Sequence, residues 1–330
     1  MRVRVEREEW TSAALADNPW GDPARRPVYV VSPADAPRSE PLPAIWVLAG
    51  FFGTGASFLA FEPFGETLVD RAERLMAEGR LKPVRLVLPD TFSALGGTQY
   101  IDSPAVGRYA TYLWDELLPY VESTWATTCR AVAGRSSGGF GALTAAMDRP
   151  GLFVAVASHA GDMGFEWCYL PDMPELIARI RAAGGRGAFW ERFRAAEPKP
   201  PQWFGAVSLL AMAATYSPNL QRADFPADLP VDEETLELVE SVWAQWLKWD
   251  PVRRVERDEG ARRALAALRV LYLDAGSDDE YRVQYGARRL SRQLHRYGIA
   301  HRLEIFPGGH RRTGHRWDHS LPLLADALWT

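Results

Sequence analysis

Short apolar runs alternate with segments of helical spacing along most of this chain. The runs are bounded by Gly, Pro or Asp, as strands usually are, and some of them are apolar throughout, as strands buried on both faces should be. Such alternation predicts an α/β protein in which helices cover a mostly parallel sheet. The predicted strands are residues 3–8, 27–32, 44–49, 84–88, 130–133, 152–157, 269–273 and 301–306.

The alternation lapses between Met163 and Asp258, where no strand pattern is found. We interpret residues 163–258 as a helical cap inserted into a single domain that spans residues 1–330. Its aromatic residues either line a substrate pocket or attach the insert to the sheet. Six of the thirteen tryptophans lie here, namely Trp167, Trp190, Trp203, Trp243, Trp246 and Trp249.

Composition narrows the class of protein. With 47% hydrophobic and 24% charged residues, the chain is neither disordered nor fibrous. A formal net charge of −4 and the lack of a basic stripe argue against a nucleic-acid partner. The start of the sequence does not resemble a signal peptide, and no apolar stretch is long enough for a membrane span, so we expect a cytoplasmic protein without membrane contact. Assembly into a homo-oligomer stays open.

The two cysteines, Cys129 and Cys168, match no metal-binding spacing. We expect two reduced and largely buried thiols, with a disulfide between them as the alternative. We expect no metal and no cofactor.

The segment 134–138, Gly-Arg-Ser-Ser-Gly, carries the first chemical signal. An apolar strand ends just before it and a helix-compatible run begins just after it. A serine on such a sharp strand-to-helix turn projects its hydroxyl above the sheet, which makes Ser136 the candidate nucleophile. Ser137 is the adjacent alternative, but its backbone N–H is better suited to an oxyanion hole. The competing interpretation is a glycine-rich turn with two surface serines.

A second oxyanion donor should come from the loop after the strand 44–49. This loop begins Gly50-Phe51-Phe52-Gly53, and we assign the donor to the N–H of Phe51, which follows the glycine that turns the chain. Phe52 would line an apolar pocket if the loop faces Ser136. A plain glycine turn that supports packing is the alternative.

The strand 269–273 runs into an acidic segment, residues 274–281. In α/β-hydrolases the acid follows the serine in the chain, after one late strand, and the histidine follows after the next. Asp279 is the preferred acid because of its spacing after Gly276. Asp278 is the first alternative, and Asp274 and Glu280 rank behind it.

The strand 301–306 is followed by Pro-Gly-Gly and His310, which therefore occupies the position of the base. His315 is the alternative base, and His319 is expected at the start of the last helix. His159 follows another strand, where it either borders the site or has a packing role, and we favour packing.

These motifs resemble the putative esterase family of α/β-hydrolases, which includes S-formylglutathione hydrolases, enterochelin esterases, feruloyl esterases and mycolyltransferases. The resemblance extends over residues 48–51, 107–109, 116–119, 133–142, 158–162, 274–281 and 308–310. It implies that Ser136 is the nucleophile, that Asp279 is the acid three positions after the glycine, and that His310 closes the Gly-x-His loop. The oxyanion loop departs from the family because it reads Leu-Ala-Gly, and the tryptophan-rich insert is not a general family feature.

We therefore expect a cofactor-free serine carboxylesterase that acts on a small-molecule ester through an acyl-enzyme. The pocket is assigned to Phe52, Trp167 and Tyr169, and Trp203 and Phe204 are further candidates. The alternatives are a thioesterase of the S-formylglutathione hydrolase type, an acyltransferase, and an inactive binding protein with the same fold.

Overall fold

A computed structural model describes residues 2–61 and 63–330 of the chain. Its centre is a sheet of eight strands in the order β1-β2-β4-β3-β7-β8-β9-β10, and β5 and β6 form a separate two-stranded ribbon. The strands are β1 Val3–Thr11, β2 Arg25–Pro33, β3 Leu42–Leu48, β4 Arg85–Pro89, β5 Asp102–Ser103, β6 Gly107–Arg108, β7 Thr127–Arg135, β8 Ala155–His159, β9 Val270–Gly276 and β10 Arg302–Phe306.

Six neighbouring strands of the sheet, from β4 to β10 in sheet order, run parallel, while β2 is antiparallel to both of its neighbours. The central strand β3 is buried along its whole length, as its unbroken apolar sequence predicts. Because these strands are parallel, the loops that follow β3, β7, β9 and β10 all leave the same edge of the sheet. The candidate catalytic residues predicted from the sequence, Ser136, Asp279 and His310, lie in loops at this edge.

Helices occupy both faces of the sheet. The α-helices are α1 Leu68–Ala77, α2 Tyr109–Thr111, α3 Leu118–Thr124, α4 Ser137–Asp148, α5 Phe165–Cys168, α6 Met173–Ala183, α7 Arg186–Ala195, α8 Phe204–Tyr216, α9 Glu240–Leu247, α10 Pro251–Arg257, α11 Glu259–Ala266, α12 Val283–Arg296 and α13 Trp317–Leu328. A π-helical segment joins α2 to α3, and 3₁₀ turns are found at Gly55–Phe58, Leu170–Asp172, Pro201–Trp203 and Gly314–Arg316.

The sheet separates two hydrophobic clusters. One face carries α1 and α13, whose Leu75 and Leu321 pack with alternate strand residues such as Ala131. The other face carries α3, α4, α12 and the segment between β8 and β9, which all share one continuous cluster. Residues 163–258 contain helices and two isolated β-bridges but no strand, in agreement with the sequence pattern.

The strand predicted at residues 152–157 begins later and ends later, at Ala155–His159. Phe153 packs its ring against Trp114, with the ring centroids 5.2 Å apart, so this apolar residue belongs to a helix–loop contact before the strand begins. Apolar character alone could not distinguish a residue buried within a strand from one buried in a contact that precedes the strand.

Both cysteines are free, so the alternative of a disulfide between them is wrong. Cys168 is buried, while Cys129 is partly accessible and its thiol donates to the carbonyl of Leu328. Among the described residues, no helix has the length and apolar character needed to cross a membrane.

Trp46 tests the core of the sheet. It is fully buried in β3 and packs against Trp114 with ring centroids 5.5 Å apart. Trp46→Ala should lower the free energy of unfolding by about 3–5 kcal/mol because it leaves a cavity that close-packed neighbours cannot fill. Urea unfolding would measure this loss. Trp329→Ala is the control, since this side chain is 47% exposed and its removal should change the free energy by less than about 1 kcal/mol. Equal losses in the two variants would contradict this description of the core.

Candidate active site

Ser136 sits on the turn between β7 and α4 with a left-handed backbone, φ 55° and ψ −123°. Positive φ is unfavourable for a residue with a side chain and is found where surrounding structure imposes it. The N–H of Ser136 donates to the carbonyl of His159 at 2.8 Å, and its own carbonyl accepts from Phe140 at 3.0 Å. The serine is thereby held from both sides, and its side chain remains partly accessible.

The glycines on either side of this turn are required by close backbone contacts. A Cβ atom at Gly134 would clash with the backbone of Gly138, and a Cβ atom at Gly138 would clash with the carbonyl of Leu48 at the end of β3. The backbones of Gly134, Gly138 and the end of β3 thus meet with no room for a side chain between them. This contact forces the sharp turn that presents Ser136.

The two predicted oxyanion donors have free N–H groups. Within the described part of the chain, neither Phe51 N–H nor Ser137 N–H meets an acceptor, whereas Phe52 N–H donates to Gly96 at 2.8 Å. Ser137 is the first residue of α4, where N–H groups have no partner within the helix. The loop also lies close to the serine, since a Cβ atom built on Gly50 would be 3.5 Å from Ser136 Cβ.

The structure brings Asp279 and His310 together. The carboxylate Oδ2 of Asp279 lies 2.7 Å from His310 Nδ1, and both side chains are buried. Asp279 Oδ1 also accepts the N–H of Tyr281 at 2.9 Å. Glu280 Oε2 accepts the N–H of His310 at 2.7 Å, and this hydrogen bond lowers the pKa of Glu280. The ring of Tyr281 packs edge-on against the imidazole.

The alternative acids and bases lie elsewhere. Asp278 is exposed and accepts a hydrogen bond from Ser277. Asp274 is paired with His159 below the site. His315 is exposed and packs against Phe306, and His319 lies within α13, two residues after its start.

A cavity of about 490 Å³ joins these groups. Its walls include Ser136 and His310, together with Phe51, Phe52 and Tyr169. Two of the three predicted pocket residues, Phe52 and Tyr169, therefore line this cavity.

Trp167 was predicted to line the same pocket, and the structure corrects this. Its side chain is 46% exposed and packs against Tyr285, outside the cavity. Trp167 lies within the short helix α5, and Tyr169 is the C-cap residue two positions later. The two side chains therefore point in different directions. Trp203 and Phe204 also lie outside the cavity: Trp203 packs on Phe189, and Phe204 packs on the far side of Phe52.

A family model described as "Putative esterase" matches residues 23–325. The chain belongs to this family. Among curated proteins it is 35% identical to the esterases Rv1288 and MT1326 of two Mycobacterium tuberculosis strains, over 185 residues that represent 44% of this chain and 40% of each relative. The chain thus spans about two fifths of the length of the curated relatives it matches.

Solved structures show the same fold at low sequence identity. A ferulic acid esterase matches with a TM-score of 0.62 and 19% identity, covering 99% of this chain and 98% of that one. An S-formylglutathione hydrolase from Agrobacterium tumefaciens matches with a TM-score of 0.59 and 18% identity, covering 99% and 100%. FphF, a fluorophosphonate-binding serine hydrolase of Staphylococcus aureus, gives 0.57 and 12%, covering all of both chains. The α/β-hydrolase fold is confirmed.

This esterase-family chain also contains a buried polar network that sequence reasoning missed. Gln99 is fully buried. Its Oε1 accepts a hydrogen bond from the hydroxyl of Ser137. Its Nε2 donates to Asp162 Oδ2 and to Tyr169 Oη, each at 2.9 Å. The hydroxyl of Tyr169 donates to the same carboxylate oxygen at 3.0 Å. Because Ser137 Oγ is occupied in this way and buried, Ser137 does not compete as the nucleophile.

Asp162 lines the cavity wall in this network, and burial raises the pKa of its carboxyl although the hydrogen bond from Gln99 and the charge of His310 oppose the shift. Asp162 follows the end of β8 by three residues, and this position after a strand marked it in the sequence as a possible site residue. Gln99 lies in a polar loop that carries no such pattern. Within the described residues, no cluster of three or more His, Cys, Asp or Glu side chains could hold a metal ion.

A second carboxylate–histidine pair lies below the site. Asp274 Oδ2 is 2.9 Å from His159 Nδ1, and His159 Nε2 is 2.8 Å from Ser320 Oγ. Arg316 Nε donates to the same Asp274 oxygen at 2.9 Å. All four residues are buried, so His159 has the packing role that we favoured from sequence. The backbone carbonyl of His159 accepts the N–H of Ser136, and the His159 ring does not line the cavity.

Asp274 makes stability depend on pH. Burial alone would raise the pKa of Asp274, but His159 and Arg316 outweigh it and the pKa is lowered. A lowered pKa means that the carboxylate stabilises the fold above its unfolded pKa of about 3.9, and that this stabilisation is lost as the pH falls through the lower folded value. Asp274→Asn should therefore lower the free energy of unfolding by about 3–5 kcal/mol at neutral pH, because it leaves Arg316 buried with less compensation.

Urea unfolding of this variant and of the wild type from pH 7 down to about pH 3 would measure the difference, which should narrow below about pH 4. Asp278→Asn is the matched control, since its carboxylate is exposed. A difference of less than about 1 kcal/mol at neutral pH would contradict the proposed role of the pair.

Proposed function

We propose that this protein is a serine ester hydrolase that acts on a small-molecule carboxylic ester through an acyl-enzyme. The observation that carries the proposal is the buried Asp279–His310 pair, which opens on the same cavity as the left-handed Ser136 turn. Membership of the putative esterase family and 35% identity to named esterases support it. No cofactor takes part in the reaction.

In the first half of the reaction, Ser136 Oγ attacks the ester carbonyl while His310 Nε2 takes up the serine proton. Asp279 accepts the Nδ1–H of His310, which selects the tautomer whose Nε2 is free to act as a base and stabilises the imidazolium that forms. The N–H groups of Phe51 and Ser137 donate to the developing oxyanion. Their freedom from other acceptors fits this role.

Collapse of the tetrahedral intermediate releases the alcohol, which takes its proton from His310, and leaves an acyl group on Ser136. In the second half His310 removes a proton from water, and the hydroxide attacks the acyl carbonyl. The same two N–H groups stabilise the second oxyanion. Collapse of this second intermediate breaks the bond between the acyl carbon and Ser136 Oγ, which takes its proton from His310, and the acid is released.

We propose that residues 163–258 act as a cap over this chemistry. Tyr169 and Met212 from this segment line the cavity together with Phe51 and Phe52. The hydroxyl of Tyr169 is held by Asp162 and Gln99, so the wall it forms is rigid. The cap thus supplies an apolar wall of fixed shape for one part of the ester.

Ser136→Ala tests the nucleophile. The variant should lose turnover of para-nitrophenyl acetate by at least about a thousandfold, because binding and the oxyanion donors alone cannot replace the attacking hydroxyl. A fluorophosphonate should label the wild type and leave Ser136→Ala unlabelled. Ser137→Ala is the control: alanine retains the backbone N–H, so labelling should persist. Full labelling of Ser136→Ala, or no turnover by the wild type, would contradict the proposal.

Asp279→Asn tests the acid against its neighbour. An amide in place of the carboxylate favours the wrong imidazole tautomer, so kcat should fall by about a thousandfold to ten-thousandfold. Asp278→Asn removes the same charge from an exposed carboxylate next door and should change kcat by no more than about twofold. Steady-state kinetics on one ester would compare the two variants. A larger loss in Asp278→Asn than in Asp279→Asn would contradict the assignment.

A further inference from the structure

A second, smaller cavity adjoins the catalytic one. Its volume is about 290 Å³, and five of the ten described residues that line it are aromatic. Apolar rings offer contact area and few hydrogen-bonding groups, so such a space suits an apolar ligand group. The aromatic lining residues are Phe52, Phe92, Trp190, Phe193 and Phe204.

The two cavities meet at Phe52. Among the described residues that line them, Phe52 is the one that both cavities share. Helix α8 also borders both spaces, since Phe204 lines the smaller cavity and Ser208, one turn later, lines the catalytic cavity. The smaller cavity therefore continues the catalytic cavity along α8, with the Phe52 side chain between them.

The ring of Phe52 is held in place by its neighbours. The N–H of Phe52 donates to the carbonyl of Gly96 at 2.8 Å. A Cβ atom on Gly96 would lie 2.5 Å from the Phe52 ring, so the ring packs directly on this backbone. Phe51 and Phe204 pack edge-on against the ring, with centroids 4.8 Å and 4.9 Å away. Edge-to-face contacts stabilise ring positions beyond the burial of their area, and the ring thus forms a fixed wall.

The two basic residues that line the smaller cavity already have partners. Arg194 forms an ion pair with Glu191 at 3.1 Å. Lys199 Nζ donates to the carbonyls of Arg194 and Ala196 at 2.9 Å and 2.6 Å. The aromatic rings, rather than these charges, therefore define which ligand the cavity would take.

We propose that Phe52 is a specificity-determining residue that limits the length of the ester, and that the smaller cavity is a latent subsite for an alkyl extension of the substrate. With the ring in place, the apolar end of a short ester lies against Phe52. Without the ring, the two cavities join and a longer chain reaches the rings of Trp190 and Phe193. This inference rests on the proposed function and specifies its substrate class as esters that are short on this side.

Two series of esters test the length limit. The acyl series compares para-nitrophenyl acetate with para-nitrophenyl octanoate. The alcohol series compares phenyl acetate with 4-hexylphenyl acetate. All esters are used below their critical micelle concentrations. In each series the ratio of kcat/KM for the long ester to that for the short one measures the length preference, and it cancels changes that affect both esters alike.

Phe52→Ala should raise the long-to-short ratio by at least about tenfold in one series, because each methylene group that becomes buried favours the bound state by about fourfold. That series identifies the half of the ester that faces Phe52. Phe52→Leu removes less of the wall and should raise the ratio less. Phe52→Trp keeps an aromatic wall and should not raise it.

Phe58→Ala is the matched control. Phe58 also lines the catalytic cavity, but it does not line the smaller one, and its ring packs against Trp317 with centroids 6.1 Å apart. Removal of this ring enlarges the catalytic cavity without opening the smaller one, so the ratio should stay close to that of the wild type. Thermal unfolding checks that each variant folds, and if Phe52→Ala does not fold, Phe52→Leu against Phe52→Trp decides the test.

An unchanged ratio in both series for Phe52→Ala and Phe52→Leu would overturn the inference. A rise of the same size in Phe58→Ala or Phe52→Trp would also overturn it, because the effect would then not depend on the wall at Phe52. The proposed function would still stand if a fluorophosphonate labels Ser136 and the acetates are hydrolysed. Failure of labelling together with failure of every ester would instead overturn the proposed function.

Discussion

The close approach of Gly134, Gly138 and the end of β3 constrains everything else in this site. No side chain fits between these backbone segments, and the chain can reverse there only if Ser136 adopts a left-handed conformation. Such a conformation costs about 1–3 kcal/mol, which the packing of buried parallel strands and α4 must offset. In return, the turn places Ser136 at the wall of the cavity.

Two carboxylate–histidine pairs lie at the ends of neighbouring strands, yet they differ in what surrounds them. Asp274 and His159 are enclosed with Ser320 and Arg316, so their charges and hydrogen bonds are used to hold β8, β9 and α13 together. The imidazole of His310 opens on the cavity instead. The Asp274–His159 pair is structural, whereas the Asp279–His310 pair is suited to proton transfer. The difference arises because the imidazole of His310 lines the cavity and that of His159 does not.

The cavity takes its lining residues from both faces of the sheet. Side chains from the cap and from the loop after β3 belong to the hydrophobic cluster on one face, while α1 and α13 cover the other face. Ser136 stands where the two faces meet.

The sequence by itself determined that Ser136, Asp279 and His310 follow strands, because apolar periodicity and glycine turns are local features. The α/β architecture was predictable for the same reason. Only the tertiary structure decided that Tyr169 lines the cavity while Trp167 faces solvent, and that Gln99 joins the polar network. The direction of a loop side chain depends on contacts between segments far apart in the chain, and a local pattern carries no information about them.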